Sequence, residues 1–517
     1  MPAAPALRLS AEGRYSTYRR PISKRRPVKS YVIGGVVFLA VVIGLASIWD
    51  ISQLYHKVNH LQVNNLRASI GGAENILIAG STNRCNLKVQ NAQWGFCSQG
   101  VTGVNSDVII VAHLVPSTGS ISLLSIPRDT FVPNARAGDQ SFKIDAALYQ
   151  GPSQLVNAVE EDFAIPIQHY VEVGFDGFVN IVNAAGGIKM YFPMPVYDSE
   201  AHLKVLTPGC KLLNGVEALQ VVRARHLQYQ DASVTTNDYY DWPQETQSDI
   251  ARITRAHEFL KLLGKEVLAK GLSNPITDQR LVDALAPQVQ VDSGLNASTM
   301  VTLAKAFDHI NPDSIKQYVM PISLTNFGSY YFEGSDYGDV VFPVQPNDRV
   351  AIDQFLGIDS DIDPMTGHVL PKPQSVNVSI INGSGIPGQA TQIGDGLSSL
   401  GFRVTAQPQT GNIVSTQAQE TYVYYSNDST EADAIDVANN LSGYVILDED
   451  ASQVTTGAQV SVATGTATAV IGVSSGIQSA ANTPVSSGAS ISSPLAPPIS
   501  ANQTMSPWDP RACPASN

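Results

Sequence analysis

The stretch Tyr31-Val-Ile-Gly-Gly-Val-Val-Phe-Leu-Ala-Val-Val-Ile-Gly-Leu-Ala-Ser-Ile-Trp49 carries no charge. As a helix it is long enough to cross the roughly 30 Å hydrocarbon core of a bilayer. No other feature restricts the chain so strongly, because one span separates all that precedes it from all that follows. Residues 1–30 hold eight cations, Arg8, Arg14, Arg19, Arg20, Lys24, Arg25, Arg26 and Lys29, against the single anion Glu12. The positive-inside rule keeps this basic tail cytoplasmic and places the rest outside. A cleaved signal peptide is the rival reading. The run is longer than an ordinary signal core and no clear small-residue cleavage site follows it, so a single uncleaved anchor over 31–49 is expected.

The N-terminal tail has a net charge of +7 and the whole chain -13, which leaves -20 for the exported part. An acidic exterior disfavours nucleic acid as a partner. The four cysteines suit an exported protein with few bridges. Cys85 and Cys97 bracket the loop Asn86 to Phe96 and are the expected pair; the pairing of Cys210 and Cys513 stays open. Zinc is disfavoured, since no Cys-x-x-Cys pair or histidine cluster accompanies them.

Periodicity then divides the exported part. Residues 50–72 read as a polar helical stalk and 73–360 as a mixed domain large enough for a real core. Its strand candidates include 75–80, 107–114 and 121–126, the last two joined by the turn Pro116-Ser-Thr-Gly119; its helix candidates include 153–163, 175–185, 215–222 and 247–268. The alternation predicts an α/β fold built as an α-β-α sandwich. Residues 361–374 read as a linker and 375–460 as a small α/β C-terminal domain. Residues 461–517 are rich in Ser, Thr, Ala, Gly and Pro, with Asp509 and Arg511 as their only charges, and are expected to stay disordered.

Five arginines stand in three clusters: Arg128 in Ser125-Ile-Pro-Arg-Asp129, Arg223 and Arg225 in Val-Arg-Ala-Arg-His226, and Arg252 and Arg255 in Asp249-Ile-Ala-Arg-Ile-Thr-Arg255. Guanidinium is permanently charged and presents a fork of donors matched to phosphate oxygens. Any one of them is ordinarily a surface ion pair; together they point to a pocket for a pyrophosphate. Arg252 and Arg255, three apart, are expected to share a helix face with Asp249.

These clusters, with Asn105-Ser-Asp107, Lys143-Ile-Asp-Ala-Ala147, Ala185-Gly-Gly187 and Leu213-Asn-Gly-Val-Glu-Ala-Leu219, resemble in order and spacing the LytR-CpsA-Psr family over about residues 73–270. Residues 375–450 similarly resemble the LytR C-terminal domain. The resemblance implies a membrane-anchored phosphotransferase that moves a glycopolymer, arabinogalactan or another phosphodiester-linked wall polymer, from a polyprenyl pyrophosphate carrier onto peptidoglycan, with Mg2+ assisting. It further implies that Arg128, Arg223, Arg225 and Arg252 contact the pyrophosphate, that Arg255 occupies the motif's second arginine position, that Lys143 is a weaker addition and that Asp107 is a metal ligand. Asp129 either orients Arg128 or takes the attacking hydroxyl's proton; paired carboxylates are usually too acidic for the second role, which favours the first. An apolar tunnel for the lipid is expected, without assignable residues. Two departures stand out. Thr82 occupies a position where the family usually has aspartate, which weakens the expected metal site, and Ala256 replaces a usual glutamine. Two arrangements of the metal site stay open: Thr82 as a weaker metal-site residue holding a metal-bound water, or the metal resting on Asp107 and the substrate phosphates.

Other readings stay open: a pyrophosphatase in which water is the nucleophile, and a non-catalytic scaffold that holds lipid pyrophosphate. Gly383-Ser-Gly-Ile-Pro-Gly388 spells a dinucleotide fingerprint, but no acidic residue ends the next strand, so the glycines are expected to serve the turn. His257 is expected to be a packed histidine. Tyr239, Tyr240 and Trp242 lie in a loop suited to sugar stacking or simply to the surface.

Overall fold

Alternate residues of two neighbouring strands face two different cores. Ile76 and Ile78 pack with Ile110, Ala112 and Leu114 on one side, whereas Leu77 and Ala79 pack with Ile109 and Val111 on the other. This period of two makes a sheet buried on both faces. The computed structural model describes residues 58–85, 87, 94–132, 135, 142–246, 248–271, 288–307, 314–324, 330–332, 335–336, 338–406, 420–471 and 505–514.

The sheet contains β1 (Asn59–Leu61), β2 (Glu74–Ser81), β3 (Ser106–Val115), β4 (Ser120–Ile126), β5 (His169–Val173), β11 (Val289–Asp292) and β12 (Lys316–Val319), in the order β1-β11-β5-β2-β3-β4-β12. Between β5 and β11 run β6 (Ile188–Phe192), β7 (Val196–Asp198), β8 (Leu203–Val205), β9 (Gly209–Leu213) and β10 (Gln228–Tyr229). These form two small sheets, β6 with β9 and β10-β7-β8. Helices α1 (Pro152–Phe163) and α6 (Asn347–Leu356) contribute to the core on one face of the large sheet; α2 (Phe175–Ala184), α3 (Gly215–Arg223), α4 (Ser248–Gly271) and α5 (Ala297–Phe307) contribute to the other. The mixed α/β reading therefore holds, with helices on both sides of one sheet.

A second sheet follows, made of β13 (Asn377–Ile381), β14 (Arg403–Ala406), β15 (Thr421–Tyr425), β16 (Val445–Glu449) and β17 (Val460–Ala463), in the order β14-β13-β17-β15-β16. Helices α7 (Gln389–Ser399) and α8 (Asp428–Asn439) cover it. An aromatic cluster of Phe131, Phe142, Tyr330 and Phe342 meets Tyr422 and Ile446 between the two units, and the Tyr330 hydroxyl donates to Glu420 at 2.5 Å.

Three expected boundaries are corrected. Residues 58–72 are not helical: β1 pairs with β11, and the Arg67 N–H donates to the Ile167 carbonyl at 2.8 Å. Residues 361–374 do not hang free, since Met365 and Leu370 are buried in the C-terminal unit's core. The first residues of the tail expected to lack order, 461–463, continue β17 from Val460 in the middle of the second sheet, where Val462 joins Val460 in filling its core. The tail also contributes residues 505–514, where β18 (Arg511–Ala512) pairs antiparallel with β6. A segment poor in apolar residues can still dock where a few contacts and a covalent bridge hold it. Both bridges are present, Cys85–Cys97 and Cys210–Cys513.

The glycine fingerprint serves the turn, as expected. Gly388 begins α7 at φ +82, and a side chain at Gly383 would meet the Thr464 carbonyl at 2.9 Å. No helix among the described residues is long and apolar enough to cross a membrane. The expected anchor, 31–49, lies outside them.

Candidate functional site

The Leu-Asn-Gly-Val-Glu motif sets where the first arginine pair falls. Asn214 accepts from the N–H groups of Val216 (2.9 Å) and Glu217 (3.1 Å), and Glu217 returns a bond to the Asn214 N–H (2.9 Å). This capping box starts α3 at Gly215, and the helix runs nine residues to its end at Arg223. Ala224 then turns extended (φ -60, ψ 122), and Arg225 leaves the helix. The buried Asp198 holds that exit: one oxygen accepts from the N–H groups of Arg225 and His226 at 2.9 and 2.8 Å, and the other from Ala201 at 2.8 Å.

Strand β3 brings in Asp107, and Arg128 follows the end of β4. Arg128 Nη1 donates to Asp107 Oδ1 at 2.5 Å. Asp129 ties three cations, accepting from Lys143 Nζ at 3.1 Å and Arg225 Nη2 at 3.2 Å, with Arg128 Nε 3.5 Å away. Burial alone would raise the Asp107 carboxyl, but Arg128, Arg252 and Arg223 overcome it and hold it below its usual value. Arg128, Lys143 and Arg225 do the same for Asp129. Behind them Asp145, which accepts from Asn105 Nδ2 at 3.1 Å, is pushed up to about 7 by burial and the nearby carboxylates Asp129 and Asp107, despite Arg128.

Arg84, Arg128, Arg223 and Arg225 converge on a polar cleft of about 1070 Å³, counting its mouth, with Thr82, Asn105, Asp107 and Glu200 also on its wall. An apolar channel adjoins it, of about 900 Å³ counting its mouth and about 120 Å³ for the enclosed free space, lined by Ile78, Ile110, Phe178, Leu219 and Phe259 among others. Asp107 and Arg223 line both cavities. Arg223 lies over the Phe175 ring, 4.9 Å from its centroid. Burial lowers its pKa, and the repulsion of Arg84 and Arg128 adds to this. A site that crowds cations this way, partly out of water, is relieved by an anion. The cleft suits a bound di- or trianion, and the channel suits a hydrocarbon chain.

The residues expected at the site separate into groups. Arg128, Arg223, Arg225, Asp107 and Thr82 line the polar cleft. Arg252, only 4% exposed, borders the channel and donates from Nη1 to the Asp107 carbonyl at 2.6 Å. Asp129 and Lys143 support the lining arginines through the bonds above. Arg255 is a correction: it is 0% exposed and reaches neither cavity. It bonds Glu245 (2.7 and 2.8 Å), Asp509 (2.9 Å) and the Ala224 carbonyl (2.6 Å). Three-residue spacing puts both arginines near one face of α4, but their long side chains diverge to different carboxylate and carbonyl partners. The side chain of Asp249 lies outside the described residues. Ala256 lines the apolar channel, so the small residue there widens a greasy wall. His257 is buried against the Ser125 hydroxyl, and burial lowers its pKa to about 4, which makes it a neutral packed group at neutral pH.

The donors fit a resident magnesium ion poorly. Asp107 already holds Arg128, and the Thr82 hydroxyl accepts the Asn105 N–H at 2.9 Å. Among the described residues no group of three or more His, Cys, Asp or Glu is placed to hold a metal. Asp198 and Arg84 are not singled out by the sequence. Arg84 adjoins Cys85, and its Nη1 donates to the Thr82 carbonyl at 3.1 Å; the bridged loop is the only available signal for it.

The sequence profile of the LytR_cpsA_psr family matches residues 50–338, more than half of the chain. The chain belongs to the LytR-CpsA-Psr family. A second profile, LytR cell envelope-related transcriptional attenuator, matches residues 375–467. LcpB of Corynebacterium glutamicum, named as a probable cell wall biosynthesis protein, is 29% identical over 291 residues, 56% of this chain and 64% of LcpB. TagV of Bacillus subtilis, named polyisoprenyl-teichoic acid–peptidoglycan teichoic acid transferase, is 33% identical over 217 residues, 40% of this chain and 53% of TagV. The chain thus spans less than two thirds of either relative. Among solved structures, the LytR-Csp2A-Psr enzyme from Actinomyces oris is 19% identical with a TM-score of 0.43, covering 58% of this chain and 96% of that one.

Proposed function

We propose that this LytR-CpsA-Psr protein is an envelope phosphotransferase that moves a glycopolymer from a polyprenyl pyrophosphate carrier to peptidoglycan, working outside a membrane to which residues 31–49 anchor it. The observation that carries the reading is the meeting of a four-arginine cleft with an apolar channel at Asp107 and Arg223. A headgroup with two phosphates and an isoprenoid tail matches both halves at once. The name of TagV, a teichoic acid transferase, supports the same class of reaction, and that of LcpB a role in cell wall biosynthesis.

In this reading an acceptor hydroxyl oxygen attacks the glycan-bearing phosphorus. A new P–O bond forms, the pyrophosphate P–O bond breaks, and polyprenyl phosphate departs with the electron pair while the hydroxyl proton passes to solvent. The chain's own part is electrostatic. Arg128, Arg223 and Arg225 are held in place before substrate arrives and stabilise charge on the phosphoryl oxygens. Asp107 and Asp129, both held acidic, orient guanidinium groups rather than take protons. Arabinogalactan or a similar wall polymer is the proposed cargo. Magnesium is proposed to come with the substrate phosphates, which supply the oxygens the protein lacks.

The test is incubation of the full chain with lipid-linked glycan, peptidoglycan and magnesium, followed by product analysis. Glycan attached to peptidoglycan, lost in Arg223→Ala, is the expected outcome. Free glycosyl phosphate alone would make the protein a pyrophosphatase, and carrier retention without turnover would make it a scaffold.

A further inference from the structure

We propose that residues 505–514 form a strap that positions the arginine pair of the polar cleft, with Asp509 as its positioning residue. The ligand in this inference rests on the pyrophosphate reading above; the geometry does not.

The strap is fastened at several independent points. Cys513 is bonded to Cys210 in β9, and Arg511–Ala512 pair with Tyr191 and Met190 in β6. The Ala512 N–H donates to Glu258 Oε1 on α4 at 3.1 Å. The Trp508 ring lies flat on Tyr229, with centroids 3.9 Å apart and planes 4° from parallel. Asp509, 1% exposed, accepts from Arg255 Nη1 through Oδ1 at 2.9 Å. Its Oδ2 accepts the Ser506 N–H at 2.9 Å, so the carboxylate that holds Arg255 also closes the strap's own turn.

Arg255 passes this constraint to the cleft. Its Nη2 donates to the carbonyl of Ala224, the residue between Arg223 and Arg225. The carboxylate of Asp198 takes the next two N–H groups from the other side. The peptide that carries both arginines is therefore clamped twice, and one clamp depends on a guanidinium completely enclosed between Glu245 and the strap. A buried charge keeps one geometry only while its partners stay in place. Loss of the Asp509 charge removes one partner and loosens the turn that closes over Arg255. The peptide at Ala224 then gains freedom, and the fork of donors is no longer set before the anion arrives. Asp509 touches no cleft atom; it acts through Arg255.

The test uses the full chain in detergent, with geranylgeranyl pyrophosphate as binding probe and amide hydrogen exchange over residues 222–227 as a reporter that needs no ligand. Asp509→Asn is expected to weaken the probe about tenfold, the loss typical of one charge-assisted contact, and to speed exchange in that segment. Asp509→Glu, which keeps the charge, is expected to restore binding to within about threefold of wild type. Wild-type binding and exchange in Asp509→Asn overturn the proposal. A second arm removes residues 505–517 and adds the peptide 505–514 in trans. Rescue by the native peptide but not by the same peptide carrying Asp509→Asn supports the proposal, and equal rescue by both overturns it. If the wild-type chain fails to bind the probe, the pyrophosphate reading falls, while the exchange comparison still decides the role of the strap.

Discussion

Arg128 and Asp107, twenty-one residues apart in sequence, meet through a 2.5 Å bond between Nη1 and Oδ1 at the point where the polar cleft adjoins the apolar channel. The carboxylate aims the guanidinium, and the guanidinium keeps the half-buried carboxylate ionised against its loss of water. Asp107→Ala is therefore expected to weaken pyrophosphate binding by about tenfold, a contact to a charged group being worth about 1.5–3 kcal/mol. Arg128→Ala is expected to cost more, because it also removes a lining cation. Titration of both variants with geranylgeranyl pyrophosphate checks this; tighter binding after loss of Asp107 would mean that the carboxylate only repels the ligand.

Arg252 and Arg255 should fail in different ways. Arg252→Ala is expected to fold and to lose carrier affinity. Arg255→Ala leaves Glu245 and Asp509 buried without their cation, at a cost of about 3–5 kcal/mol. Its melting temperature is expected to drop by about 10 °C. Thermal melts run beside binding assays decide between the two, and equal melts would remove the distinction.

The channel wall offers a separation of tail from headgroup. Ala256→Trp places a large ring where a methyl group now lines the cavity. Affinity for a long-chain polyprenyl pyrophosphate is expected to fall about tenfold or more, while that for inorganic pyrophosphate stays within about twofold. Equal losses for both ligands would show that the channel does not hold the tail.

Calorimetric titration of MgCl2 into the carrier-free chain is expected to give no saturable site at millimolar concentrations, because of the two carboxylates on the cleft wall Asp107 is already engaged by arginine, and no group of three or more metal-ligating side chains converges among the described residues. A saturable site abolished in Asp107→Ala would reverse this.

Stability should depend on pH through buried acids. Asp145, Glu160, Glu161, Asp348 and Asp448 are each raised to about 7 and Glu431 to about 8, burial being the leading cause in every case. Each keeps its proton in the folded state at pH values where the unfolded chain has lost it. The folded state binds more protons, so stability falls as pH rises from about 4 through 8. His113 and His257, lowered to about 4 by burial, act oppositely, but only up to their unfolded value of 6.5. From pH 6.5 to 8 the acids act alone, and the melting temperature is expected to decline. Glu431→Gln should flatten the slope. A melting temperature that climbs over this window would contradict the assignment.

Much of the fold is legible in the sequence because its signals are local. The near-continuous apolar run within 107–114 marks a strand with two buried faces, and the Asn214 to Glu217 box marks the start of the helix that ends in Arg223. The cleft is legible to the extent that its arginines lie in short clusters. What escapes is decided by partners far apart along the chain. Arg255 reads like a second phosphate contact because Asp509, which holds it, is 254 residues away. Asp198 carries no motif; its importance comes from backbone N–H groups 27 and 28 residues later. Residues 505–514 lack the apolar content that marks an ordered segment, and their docking combines a ring stack, a short strand pairing, a backbone bond to Glu258, a buried carboxylate and a disulfide.

The bond between Cys210 and Cys513 closes the polypeptide into a covalent circuit that encloses α4 and the entire C-terminal unit. A single protease nick anywhere on that circuit opens it without shedding a fragment. Both new ends remain attached until a thiol reductant acts, so on a non-reducing gel the clipped molecule keeps the mass of the intact one.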